Sequence, residues 1–214
     1  MTETLTLAAE ATAPKRKLLY YNTASLTKPH IQGKHRKTLM VLHETVSGDL
    51  AGLADILGVE RYLAKLDYGI HGMTDAEGHC AWSYGQGNAI FWQAGGVNDI
   101  SDGIEQVSNI PLLLQKRIIT KEQAWHKWLA RERQLEATAK VLACWHNSDP
   151  KNHPLVFVDG SGKHKGVTSH WNVSRFHKES EGHSDCWPHH LGGYYPILLV
   201  IHMAQGYAKL GYHF

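Results

Sequence analysis

Cysteine is scarce in this 214-residue chain: Cys80, Cys144 and Cys186 are an odd number with no CxxC pair. That excludes a disulfide framework and a four-cysteine zinc site. Charge of one sign is lacking too. The net charge is +2, too near neutral to indicate a nucleic-acid partner by itself. No window reaches the apolar length of a membrane span. Met1-Thr2-Glu3-Thr4-Leu5 has neither the basic n-region nor the apolar h-region of a secretory signal, so synthesis in a cytoplasm is expected. Repeats and linkers are absent as well. With 43% hydrophobic residues the chain can bury one sizeable core. One domain over 15–214 is expected, after an Ala- and Thr-rich tail over 1–14.

What is abundant is histidine, sixteen in all, the commonest side-chain metal ligand and the group that titrates nearest neutrality. Most of a histidine-rich surface is simply solvated, so position decides which of them matter. The run Thr38-Leu39-Met40-Val41-Leu42-His43-Glu44-Thr45 reads as a buried strand, bounded by basic Lys34–Lys37 before it and Gly48 after it. It puts His43 at its C-terminal end. Central strands of open sheets hold ligands and metals at their ends, although a lone histidine there is more often a hydrogen-bonded core residue. Glu44 points to the opposite face if the strand continues.

Further elements follow from spacing. Leu18–Tyr21 reads as an edge strand. Leu50 to Leu66 has helical apolar spacing, with Ser47 or Asp49 as cap. Tyr68–Trp82 alternates around the turn formers Asp75–Gly78, a hairpin signal. Asn88–Ala94 continues apolar until Gly95-Gly96, and Asn98–Val107 reads as a loop feeding a strand that carries Glu105. Thr120 to His146 reads as the longest helix, opened by a Thr120/Gln123 capping box and striped by Trp125, Trp128, Leu129, Leu135, Ala139 and Leu142. Leu155–Val158 reads as a short strand before the Asp159–Gly162 turn, and Pro196–Leu210 as a core helix. The fold class expected is α/β, a central mixed sheet flanked by helices.

The densest polar cluster lies in the last third: Ser169-His170-Trp171-Asn172-Val173, then Phe176-His177-Lys178, then Gly182-His183-Ser184-Asp185-Cys186-Trp187-Pro188-His189-His190. Zinc takes nitrogen, carboxylate or thiolate ligands, and a catalytic zinc keeps three protein ligands plus water. Two ligands from this region and a third from a distant strand would be an ordinary arrangement, but spacing alone leaves the set open.

Together these segments resemble the zinc-dependent N-acetylmuramoyl-L-alanine amidases of the phage lysozyme and bacterial type 2 family, whose fold peptidoglycan recognition proteins share. The resemblance runs in order from about Thr38 to about Pro188. Val41-Leu42-His43-Glu44-Thr45 looks like the strand ending in the family's first zinc histidine. Tyr68-Gly69-Ile70-His71-Gly72-Met73-Thr74-Asp75-Ala76-Glu77-Gly78 looks like its YHF-I-x-x-D-G hairpin. Asn98-Asp99-Ile100-Ser101-Asp102-Gly103-Ile104-Glu105 is similar to its N-x-x-S-I-G-I-E strand. Ser169-His170-Trp171-Asn172-Val173 followed by His183-Ser184-Asp185-Cys186-Trp187-Pro188 resembles G-H-x-D-V … K-T-D-P-G-P.

The resemblance implies His43, His170 and Asp185 as zinc ligands, with Cys186 the alternative third ligand because members use either aspartate or cysteine. It implies Glu105 as the catalytic glutamate that orients or deprotonates water. His183 stands where most members have an oxyanion-stabilising lysine, Ile70 where some have a tyrosine, and Ser174–Gly182 is an insertion in the ligand loop. The implied substrate is bacterial peptidoglycan, cut between the muramoyl lactyl group and L-alanine by a monomeric phage or prophage endolysin. It would be made in the host cytoplasm and act on the wall, with no nucleic-acid partner and no membrane insertion. Two alternatives of other classes are a non-catalytic muropeptide-binding module and a His-rich metal-dependent nuclease. His71 is expected to line the groove or to hydrogen-bond in the core, His177, His189 and His190 to lie in loops, and Trp82, Trp92 and Trp187 either to pack or to stack on sugar.

Overall fold

Leu39-Met40-Val41-Leu42 is apolar on both faces, which suits a strand covered on both sides in a parallel sheet. In the computed structural model this run is β3 (Leu39–Thr45), at the centre of the architecture. The structure describes residues 16–17, 21–22, 36–45, 71–82, 90–91 and 93–214. The expected tail over 1–14, most of the Leu18–Tyr21 strand, the Leu50–Leu66 helix with its caps, Ile70 and Trp92 lie outside those residues.

Six strands form one mixed sheet in the order β2 (Tyr21–Asn22), β5 (Cys80–Trp82), β4 (Gly72–Thr74), β6 (Ser101–Val107), β3, β7 (Gly166–Ser169). β4, β6, β3 and β7 run parallel, and among the described residues only the β4–β5 hairpin is antiparallel. A separate parallel pair joins β1 (Arg16–Lys17) to β8 (Tyr212–His213). The helices are α1 (Ile110–Gln115), α2 (Lys121–Leu129), α3 (Glu132–Ser148), α4 (His170–Ser174) and α5 (Ile197–Lys209). Among the described residues no helix is long and apolar enough to cross a membrane.

Strand alternation sends Met40 and Leu42 to one face with Ile104, where Trp128, Leu135, Leu142 and Val200 build the larger core. Leu39 and Val41 face the other way, onto a smaller cluster with Ala94, Val97 and Val173. The expected mixed α/β sheet flanked by helices is therefore what the chain forms.

Three sequence expectations need correction. The helix expected over Thr120–His146 is two, broken at Ala130 and Arg131. No glycine or proline marks the break. It is held by Arg131, whose guanidinium donates to the Val107 carbonyl at 3.0 Å and to Gln134 Oε1 at 2.9 Å. The capping box at Thr120 and Gln123 is formed in both directions. Leu155–Val158 is no full strand, being confined by Pro154 and the Asp159-Gly160 turn, and makes only an isolated bridge of Phe157 with Val167. β7 was not expected at all, since Gly166-Val167-Thr168-Ser169 carries a single strongly apolar residue.

A polar seam runs between β6 and α3. Gln134 Nε2 donates to the carbonyls of Thr74 and Val107, both at 3.0 Å, and Thr138 Oγ1 donates to the Gln134 carbonyl at 2.9 Å. On β6 the buried Asp102 carboxylate lies 3.3 Å from His71 Nε2 and 3.2 Å from His153 Nε2. His71 is therefore in the core, one of the two places expected for it.

The Ser174–Gly182 insertion docks on the double glycine. Ser180 Oγ donates to the Gly95 carbonyl at 2.9 Å, and a Cβ on Gly96 would sit 2.4 Å from the His177 ring. Gly96 also has φ of +84°, whereas Gly192, with φ of +81°, faces open space. Gly192→Ala should cost about 1 kcal/mol from the backbone alone. Gly96→Ala should cost at least about 1 kcal/mol more, because the docked ring must move. Urea unfolding of both variants measures the difference.

Candidate metal and catalytic site

The C-terminal ends of the parallel strands bring the candidate residues together. His43 lies near the end of β3, Glu105 is its register partner on β6, and His170 opens α4 directly after β7. Ser169 caps that short helix by accepting from the Asn172 N–H at 3.3 Å, which fixes where His170 starts. Asp185 comes from the loop after the insertion. His43 Nδ1 is 3.1 Å from His170 Nδ1, and Asp185 Oδ2 is 3.6 Å from the first and 3.3 Å from the second. These three atoms lie within 4.8 Å of one another.

Asp185 and Cys186 separate cleanly. Cys186 has φ of +53°, so the chain turns and its thiol faces the core, where it accepts from Gln106 Nε2 at 3.3 Å. Burial pushes that thiol well above its usual range. The thiol therefore has no place beside the two histidines, and the carboxylate does.

His183 is half exposed, its ring stacked on His170 at 3.8 Å and its Nδ1 3.6 Å from Asp185 Oδ1. Two tryptophans next to the candidate ligands, Trp171 and Trp187, stack at 5.1 Å, with Arg175 over one and Lys121 over the other. Trp187 thus packs, one of the two roles expected for it, and only the backbone of Trp82 is described. His177 sits against Gly96, His189 stacks on Trp125 and His190 meets Phe157 edge-on, so none of the three joins the cluster. Beside Ser184 opens a cavity of about 490 Å³, walled by Leu114, Ile119 and Trp187 and rimmed by Arg117 and Lys121.

The electrostatics suit a cation. Burial opposes charge on His43, but Asp185, Glu105 and Gln93 outweigh it and raise its pKa. Burial and the neighbouring His43 drive His170 down to about 4. Burial alone would raise Asp185, yet hydrogen bonds from His170, His183 and His43 hold it well below the usual carboxylate range. The fit to a metal is testable on the donor set itself. Two imidazole nitrogens, both Nδ1, and an ionised carboxylate oxygen converge. That is the nitrogen and oxygen chemistry zinc accepts.

Two contributors had no role assigned from the sequence. Glu44, adjacent to His43, points to the opposite face as expected, and there it accepts four hydrogen bonds. The donors are Trp128 Nε1 at 3.0 Å, Tyr194 OH at 2.9 Å, Ser108 Oγ at 3.2 Å and the Cys186 N–H at 3.2 Å. Burial nonetheless pushes its pKa up to about 7. Gln93 accepts from His43 at 2.7 Å. No motif marks either; a buried acid beside a candidate ligand was the one available sign.

Glu105 is partly buried, and burial raises its pKa from 4.5 to about 7, against the pull of His43. A raised carboxyl pKa means the folded state binds more protons than the unfolded state between these values, so stability falls as pH rises across that window. In metal-free protein Glu105→Gln should therefore be neutral near pH 4.5 and stabilising above pH 7. After allowance for partial exposure the gain is roughly 2 kcal/mol. Urea unfolding of both forms in chelator at the two pH values reads this directly.

No protein-family model matches the sequence, and no curated protein matches it either. Solved structures do match. Staphylococcus aureus hydrolase AmiA in complex with its ligand superposes with a TM-score of 0.56 at 13% identity, covering 90% of this chain and 84% of that one. The Ph2119 endolysin of the Thermus scotoductus MAT2119 bacteriophage gives 0.49 at 17% identity, covering 82% and 89%. Drosophila PGRP-LB gives 0.46 at 14% identity, covering 82% and 96%. In fold, then, this α/β chain is similar to AmiA.

Proposed function

We propose that the chain is a zinc-dependent peptidoglycan amidase that cleaves the bond between N-acetylmuramic acid and the L-alanine of the stem peptide, as a phage or prophage endolysin. The observation that carries this reading is the convergence of His43 Nδ1, His170 Nδ1 and Asp185 Oδ2 beside Glu105, at the strand ends of this fold. His43, His170 and Asp185 would hold the metal, which when bound supplies Lewis acidity and water of lowered pKa.

The side chains do the rest. Glu105, with its pKa near 7, takes a proton from the attacking water and returns it to the leaving amine of alanine. A general base is most effective with a pKa close to the working pH, and burial of Glu105 provides that. The His183 ring, stacked on His170, donates to the oxygen that becomes negative as the carbonyl turns tetrahedral, a role worth roughly 3–4 kcal/mol for such donors. The cationic rim of Arg117 and Lys121 suits a stem peptide, which carries carboxylates.

Digestion of purified bacterial sacculi, followed by mass spectrometry, tests the reading. Stem peptides with a free N-terminal alanine should appear, vanish with a zinc chelator, and fall at least about 100-fold with Glu105→Ala. Binding to sacculi with no new amine would overturn the catalytic claim in favour of a muropeptide-binding module. Activity surviving Glu105→Ala would remove Glu105 as the base.

A further inference from the structure

The second ring nitrogen of His43 is held by a network in which every proton can be placed. Ser101 Oγ donates to the Val97 carbonyl at 2.7 Å, so the same oxygen receives its other hydrogen bond rather than giving it. That bond comes from Gln93 Nε2 at 2.9 Å, and the same amide nitrogen also lies 3.3 Å from the Ser101 carbonyl, which can only accept. The Gln93 amide is therefore oriented with its nitrogen toward Ser101 and its oxygen toward His43. Because Oε1 can only accept, the 2.7 Å contact requires a proton on His43 Nε2. A neutral ring with its proton on Nε2 has its lone pair on Nδ1, the atom that faces His170 and Asp185.

The segment carrying Gln93 is itself fixed. Asn98 Oδ1 accepts from the backbone N–H groups of Gln93 at 2.9 Å and Ala94 at 2.8 Å. Lys37 Nζ donates to the Asn98 carbonyl at 3.0 Å, and the insertion is bonded to Gly95. The amide is thus built into the fold rather than resting on a free loop.

We propose that Gln93 is a positioning residue that holds His43 in its Nε2-protonated form, presenting the Nδ1 lone pair for a divalent metal ion. A hydrogen bond of this kind fixes both tautomer and ring orientation, and losing it typically weakens metal affinity 10- to 100-fold. The inference rests on the metal-site reading above, but its primary readout does not need the metal.

Nitrogen-15 NMR of the His43 ring in metal-free protein, at a pH high enough for the ring to be neutral, should show the Nε2–H tautomer in the parent chain. In Gln93→Met, of similar length with no strong acceptor, the ring should become a mixture of both tautomers. Gln93→Glu, which keeps an acceptor in place, should restore the Nε2–H form. Zinc affinity, measured by competition with a chromophoric chelator, should weaken 10- to 100-fold in Gln93→Met. If that variant does not fold by circular dichroism, Ser101→Ala frees the same amide and takes its place. An unchanged tautomer together with zinc affinity within about twofold of the parent would overturn the proposal. A parent chain showing the Nε2–H form but binding no zinc would instead overturn the metal-site reading, leaving the tautomer comparison to judge Gln93.

Discussion

The Glu44 carboxylate is the contact on which the site end of the molecule depends. It takes one hydrogen bond each from helix α2, the segment before α1, the Asp185–Cys186 turn and the start of the C-terminal region. A carboxylate carried this far from water is costly unless its lone pairs are filled, and four donors fill them. Strand geometry does the remainder. Whatever fixes Glu44 on the helix face also fixes the side chain one residue earlier on the opposite face, and that side chain is His43. The loop delivering Asp185 is tied to the same carboxylate through the next residue's amide. Two of the three converging groups are therefore positioned from the far side of the sheet.

The parts legible in the sequence are those with an uninterrupted local signal. β3 shows as an apolar run, the hairpin as alternation around Asp75–Gly78, and the start of α2 as a capping box that forms in full. β7 was not legible because its neighbours supply the apolar surroundings that its own residues do not announce. The helix break at Ala130 is a tertiary event, made by Arg131 reaching the end of β6, and no local rule could have found it. The convergence of His43, His170 and Asp185 was suggested only by resemblance, since His43 lies far from the other two in sequence and the three meet only through sheet order. Gln93 is an ordinary glutamine until Ser101 is known to lie beside it.

The insertion and the double glycine form a second tie. A side chain at either Gly95 or Gly96 would collide with Glu179 or His177, so the two segments are fitted to each other and not merely adjacent. The stacked Trp171 and Trp187 do a similar job on the other side, joining the residue after His170 to the stretch after Asp185. Loops that are long in sequence are thus short in mechanical terms, which is what a preorganised site requires.

The left-handed turn at Cys186 has one more effect. By sending the thiol into the core and the preceding carboxylate outward, it leaves the cluster composed of imidazole and oxygen donors alone. Peroxide and disulfide reagents act on exposed, low-pKa thiolates. Here the nearest sulfur is sealed, with its proton held tightly by burial. The converging donor set thus contains no thiol for such reagents to alter.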